Sequence, residues 1–135
     1  MPDRSLATKQ LATLLGVFSH PHRVRIVEEL RSNEKDVNTL QDALGISHSG
    51  VSQHLAVLRS NNVVIERRVG RHVFYRLVDP RVSQWLLDGL KFLENAADSY
   101  DELRHSVRSV REQWTTEAER NRLENGGIRE NPYQP

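Results

Sequence analysis

The apolar positions of this chain fall into short runs whose spacing changes from helical to strand-like near its middle. Leu6, Leu11, Leu14, Leu15 and Phe18 share one helical face, which predicts a first helix over residues 5–19. His20-Pro21 ends it, because proline lacks a backbone donor and biases the residue before it away from helix. Pro21 then suits the first turn of a second helix, with Val24, Ile26, Val27 and Leu30 on its buried side. Residues 31–36, RSNEKD, read as a polar turn. A third helix covers about 38–44 and stops at Gly45, and Ser47 is a suitable N-cap for a fourth over 48–60. Residues 63–69 and 73–77 read as strands joined by a short turn at Gly70-Arg71. Asp79-Pro80 opens a further helix with Val82, Leu86, Leu90 and Leu93 on one side.

The pattern changes again toward the end. Tyr100, Leu103, Val107, Val110 and Trp114 are spaced 3, 4, 3 and 4, the a/d seam of helix-on-helix packing. Ser99 with Glu102 has the form of a capping box that starts a separate helix, while one unbroken helix from 80 to about 124 is the alternative. Gly126-Gly127 stops the helix, leaving residues 125–135 as a loose tail. The predicted fold is mainly α with a small β-hairpin wing: a winged helix-turn-helix with an extended C-terminal helix. The expected organisation is a DNA-binding and dimerisation domain over 1–95, a helical extension over 96–124 that contributes to the dimer, and the tail.

Composition narrows the chemistry. The chain has 135 residues, enough for one modest core. It has no cysteine, which excludes disulfides, thiolate metal sites and thiol redox sensing. No apolar run approaches the ~20 residues that span a bilayer, and the first residues lack the apolar core of a signal peptide. The expectation is a cytoplasmic protein without a membrane partner. No nucleophile motif or phosphate loop suggests an enzyme, and no cofactor is expected.

The net charge of +1 says little, but its distribution says more. Between Ser47 and Arg76 lie five arginines, at 59, 67, 68, 71 and 76, against one acid, Glu66. A nucleic-acid surface needs local basic charge of this kind. If Leu40, Leu44, Ile46, Val51, Leu55 and Leu58 are the buried side of a helix-turn-helix, then Ser47, His48, Ser49, Ser52 and Gln53 face outward near the start of the last helix. Gly45 sits in its turn, where a positive φ favours glycine. A polar helix fits the major groove, and a basic hairpin lies along the phosphates. The candidate contacts to double-stranded DNA are Ser47, His48, Ser49, Ser52, Gln53, His54, Arg59, Arg67, Arg68, Arg71 and His72. His54 is also read as a packing residue.

The segments HPHRVRIVEEL, LQDALGISHSGVSQHLAVLRSNNVV and ERRVGRHVFYRL together resemble the ArsR/SmtB family of winged-helix repressors over about residues 10–95. The wing strand, Gly70 to Leu77, makes the resemblance specific. It implies a homodimer joined through the first and last helices, a palindromic operator, and release of DNA on a signal. The expected interface residues are Leu11, Leu14, Phe18, Leu86, Leu90 and Leu93, extended by the seam of Tyr100, Leu103, Val107, Val110 and Trp114.

Many members of that family sense metals, and the matching positions here argue against it. The thiolate site of the family falls at Asp36 and Asn38. The site on the last helix falls at Asp79, Arg81, Phe92 and Asn95, where only Asp79 is a suitable ligand and Arg81 is permanently cationic. No metal site is expected, and the effector is open. His20 and His22 flank Pro21 and are read as capping or interface residues rather than a metal pair. Trp85, Phe92, Tyr100 and Trp114 are read as core or interface rather than as a ligand pocket. A protein-interaction module of the same fold, working through its C-terminal helix, is the rival reading, and the arginines of the wing region argue against it.

Overall fold

The computed structural model describes residues 4–96 and 101–124. Tyr100, the Ser99 cap and the tail over 125–135 lie outside the described residues. The chain divides into two compact units, residues 1–79 and 80–135.

The first unit carries the helix-turn-helix. Helix α1 (Arg4–Val17) ends in a tightened turn, with Phe18 and Ser19 donating to the carbonyls of Leu15 and Gly16. His20 is extended and caps α2 (Pro21–Leu30), its Nδ1 accepting from the His22 backbone N–H at 3.2 Å. Helix α3 (Val37–Leu44) starts on an Asp36 cap whose carboxylate accepts from Thr39 N at 2.8 Å. It ends at Gly45 with φ +67°, in the left-handed region where a side chain is strained. Helix α4 (His48–Ser60) follows on the Ser47 cap.

Ile26, Val27, Leu40, Val51, Leu55 and Leu58 are essentially inaccessible and form the core where α2, α3 and α4 meet. Leu30, Val63, Val64 and Leu77 extend it. Burying such a side chain contributes about 1.5–3 kcal/mol. Val24, Leu44 and Ile46, expected in the core, are only half-buried. Leu44 is the last residue of α3, and Ile46 lies in the loop before α4.

Strands β2 (Val64–Val69) and β3 (His72–Leu77) form the wing hairpin, in register from Val64 opposite Leu77 to Val69 opposite His72. Gly70 takes φ +59° in the two-residue turn between them. One strand departs from the sequence pattern. Residues 31–36 have the composition of a turn, yet Lys35 and Asp36 form β1, antiparallel to β3 opposite Tyr75 and Phe74. The pairing depends on a partner about 40 residues away, so a two-residue strand has no local signature. The sheet order is β1-β3-β2, which anchors the wing to the start of α3.

The second unit holds α5 (Arg81–Ala96) and α6 (Asp101–Glu124) packed on each other. The division into compact units falls between residues 79 and 80. Glu94 accepts from Arg108 Nε at 3.0 Å and from Arg111 Nε at 2.7 Å, joining the two helices. No helix among the described residues is long and apolar enough to cross a membrane.

Candidate nucleic-acid interface

The start of α4 is built by its cap. Ser47 Oγ accepts from Gly50 N at 3.1 Å and lies 3.2 Å from Ser49 Oγ, so both hydroxyls are engaged in shaping the first turn. A Cβ on Gly50 would lie 3.2 Å from Ser47 Oγ, so the cap hydroxyl would have to shift by a few tenths of an ångström to admit it. Because Val51, Leu55 and Leu58 are buried, His48, Ser49 and Gln53 stand exposed on the opposite side, with Ser52 half-buried beside them. Gln53 offers an amide donor and acceptor suited to an adenine edge.

An open polar cleft of about 290 Å³ joins this helix to its neighbours. Asp36 and Asn38 at the start of α3, His48 and Ser52 on α4, and Arg71, His72 and Tyr75 on the wing line it. The structure thus brings His48, Ser52, Arg71 and His72, which are distant in sequence, around one hollow. Asp36 is the acid in that lining. Its carboxyl is held below the usual carboxylate range, chiefly by the hydrogen bond to Thr39 and less by nearby His72.

The four arginines among the candidate contacts divide into two groups. Arg68 and Arg71 are exposed and make no hydrogen bond or ion pair with the described residues. Arg59 and Arg67 are engaged within the protein. Arg59 Nη1 lies 3.1 Å from Glu66 Oε1, and Tyr75 Oη also reaches the Glu66 carboxylate, at 3.4 Å. Arg67 donates to Glu34 from Nε at 3.1 Å and also from Nη2, with its guanidinium 5.3 Å from the centre of the Phe74 ring. A count of charges along the chain does not reveal these pairings. The Glu66–Tyr75 pair is available from the hairpin register once the turn at Gly70-Arg71 is fixed. The Arg67–Glu34 pair spans the sheet and has no local signal.

His54 departs from the expected set. It lies on the side of α4 that meets α2, where its Nδ1 accepts from Arg23 Nε at 3.3 Å. Its ring centre is 4.4 Å from that of His20 and 5.6 Å from that of His22. His54 is half-buried, whereas Gln53 is exposed. Desolvation, followed by His20, Arg23 and His22, lowers its pKa from the ordinary 6.5.

The expected interface residues also separate. In the single chain Leu11 is 51% exposed, Leu93 47% and Leu103 48%, so each leaves apolar surface uncovered. Leu14, Phe18, Leu86, Leu90 and Val110 are half-buried. Val107 and Trp114 are only 6% and 3% exposed in the single chain. The seam is satisfied within the chain at these two positions, where α6 packs on α5. The a/d spacing identifies a packing seam but carries no information about which helix fills it. Phe92, which falls at a position of the family's metal site, is 71% exposed, and among the described residues no three or more His, Cys, Asp or Glu side chains are grouped to hold an ion.

A helix-turn-helix whose exposed polar helix stands beside a basic hairpin defines the winged helix-turn-helix class of DNA-binding regulators. Residues 20–66 match the bacterial regulatory protein, arsR family. The HTH-type transcriptional regulator NmtR of Mycobacterium tuberculosis is 35% identical over 94 residues, covering 70% of this chain and 78% of that protein. The HTH-type transcriptional repressor SmtB of the same species is 40% identical over 77 residues, and the chain spans 57% of its length. The homodimeric winged helix-turn-helix DNA-binding domain of Mb0332 from Mycobacterium bovis superposes with a TM-score of 0.62 at 25% identity, covering 72% of this chain and 92% of that one. The chain belongs to the arsR family of bacterial transcriptional regulators.

Proposed function

We propose that this protein is a homodimeric repressor that binds a palindromic operator without the metal sites common in its family. The observation that carries the reading is the arrangement around the polar cleft. His48, Ser52 and Gln53 on α4 supply base-edge contacts, and Arg68, Arg71 and His72 on the wing supply charge for phosphates. Ser47 and Ser49 act chiefly by holding the first turn, and Arg59 and Arg67 by bracing the wing. Family membership and the repressor SmtB support regulation by repression, and the homodimeric Mb0332 domain supports a dimer. Leu11 on α1 and Leu93 on α5 give apolar surface suited to a partner chain. The experiment is a gel shift with fragments from around the gene, repeated at rising salt. Specific retention of one fragment whose affinity falls with salt supports the reading. Equal or absent binding of all fragments refutes it.

A further inference from the structure

The histidines at the start of α2 and on the inner side of α4 are not used by the DNA-binding surface. His54 Nδ1 accepts from Arg23 Nε, and Arg23 Nη1 donates on to the Val17 carbonyl at 3.2 Å. One guanidinium therefore links α4 to the end of α1. His20 Nδ1 accepts from the His22 backbone at 3.2 Å, and the His20 and His22 rings stack at 5.3 Å.

Both Nδ1 atoms serve as acceptors, and this fixes the chemistry. A neutral imidazole accepts at one nitrogen only when the other carries the proton, and an imidazolium has no acceptor at all. Protonating His54 therefore breaks its bond to Arg23 and sets a second cation against that guanidinium. The groups that face His54 are His20, His22 and Arg23, all of them bases. No carboxylate is among them to compensate the new charge. The same tautomers disfavour a shared metal ion, since a ligating histidine normally donates from its second nitrogen.

We propose that His54 is a positioning residue, which ties the recognition helix to α2 only while it is neutral, and that acid therefore loosens the operator complex. The inference rests on the reading of α4 as the DNA-contacting helix. The sign follows from linkage. A histidine whose folded pKa lies below its unfolded value contributes stability above the unfolded value of 6.5, and loses it as pH falls through the folded value.

The test compares the wild type with His54→Asn, which retains a neutral acceptor near Nδ1 but cannot titrate. Operator affinity and thermal midpoint are measured at fixed salt from about pH 8 down to about pH 5.5, the range in which histidine changes charge. Every other histidine is common to both proteins, so the ratio of their affinities isolates position 54. The expected result is near-equal affinity at high pH and a relative loss in the wild type at low pH, about tenfold for each unit by which DNA binding lowers the His54 pKa further. Its thermal midpoint should also fall more steeply with acid than that of His54→Asn. An affinity ratio that stays constant across the series overturns the proposal. If His54→Asn does not fold, histidine NMR of the wild type decides. A His54 protonated at Nε2 at neutral pH and titrating below its ordinary value supports the tie, and one titrating at or above that value overturns it. Failure of the wild type to bind any fragment at high pH would instead refute the DNA-binding reading, and it is seen before the pH series begins.

Discussion

Arg67 and Glu34 hold the wing from the side: the guanidinium donates through two nitrogens to one carboxylate while lying against Phe74. Its neighbour Arg68 points to the other face of β2 and has no such partner among the described residues. The two adjacent arginines therefore have different work. Arg68→Ala and Arg71→Ala are each expected to weaken binding to all sequences alike and to lower the salt slope by about one unit for each phosphate no longer neutralised. Arg67→Ala should change the slope little. Equal slope changes for Arg67→Ala and Arg68→Ala would show that the Glu34 pair opens in the complex.

Gln53 stands exposed in the second turn of α4 with both amide groups available for a base. Gln53→Ala should cost about 1–3 kcal/mol of operator binding while sparing non-specific affinity. Ser52 is half-buried on the cleft, so Ser52→Ala is expected to have the smaller effect of the two. Footprints of both variants identical to the wild type would remove α4 as the reader.

Ser47 caps α4 through Gly50 N. Ser47→Ala should lower stability by about 1 kcal/mol, the usual cost of losing an N-cap, as measured by chemical denaturation. Affinity should fall with it, because the cap fixes the turn that carries His48 and Ser49. A variant as stable as the wild type would mean that water replaces the hydroxyl without loss.

Trp114 is buried within the chain, so Trp114→Ala should destabilise the unit of α5 and α6 by about 3–5 kcal/mol. The effect should be the same at every protein concentration. A cost that disappears on dilution would return Trp114 to the subunit interface. Truncation at residue 97 should likewise uncover the face of α5 that α6 covers, and it tests folding before it tests dimerisation.

Glu94 is held below its ordinary pKa of 4.5 by hydrogen bonds from Arg108 first and Arg111 second. A carboxylate with a depressed folded pKa contributes stability above the unfolded value and loses it as pH falls through the folded value. The stability advantage of the wild type over Glu94→Gln should therefore be present at neutral pH and shrink below about pH 4.5, where the unfolded-state group begins to protonate. Denaturation curves of both proteins across that range check it. A gap independent of pH would mean that the glutamine keeps the same bonds.

Features that repeat locally are legible in the order of amino acids alone. The helical spacing of Val51, Leu55 and Leu58 fixes the buried side of α4, and hence the exposure of His48 and Gln53. Ser47, Gly45 and Gly70 mark their cap and turns because backbone geometry at those positions restricts the residue. Pairings across long separations are settled only when the chain folds. Residues 35 and 36 become a strand because β3 lies beside them, Arg67 meets Glu34 across the sheet, and His54 turns inward to Arg23. The spacing of Trp114 marks it as part of a seam, but its burial within the chain is set by the packing of α6 on α5. A periodic pattern specifies that a face must be covered, while the covering element is chosen by which surfaces the folded chain brings together.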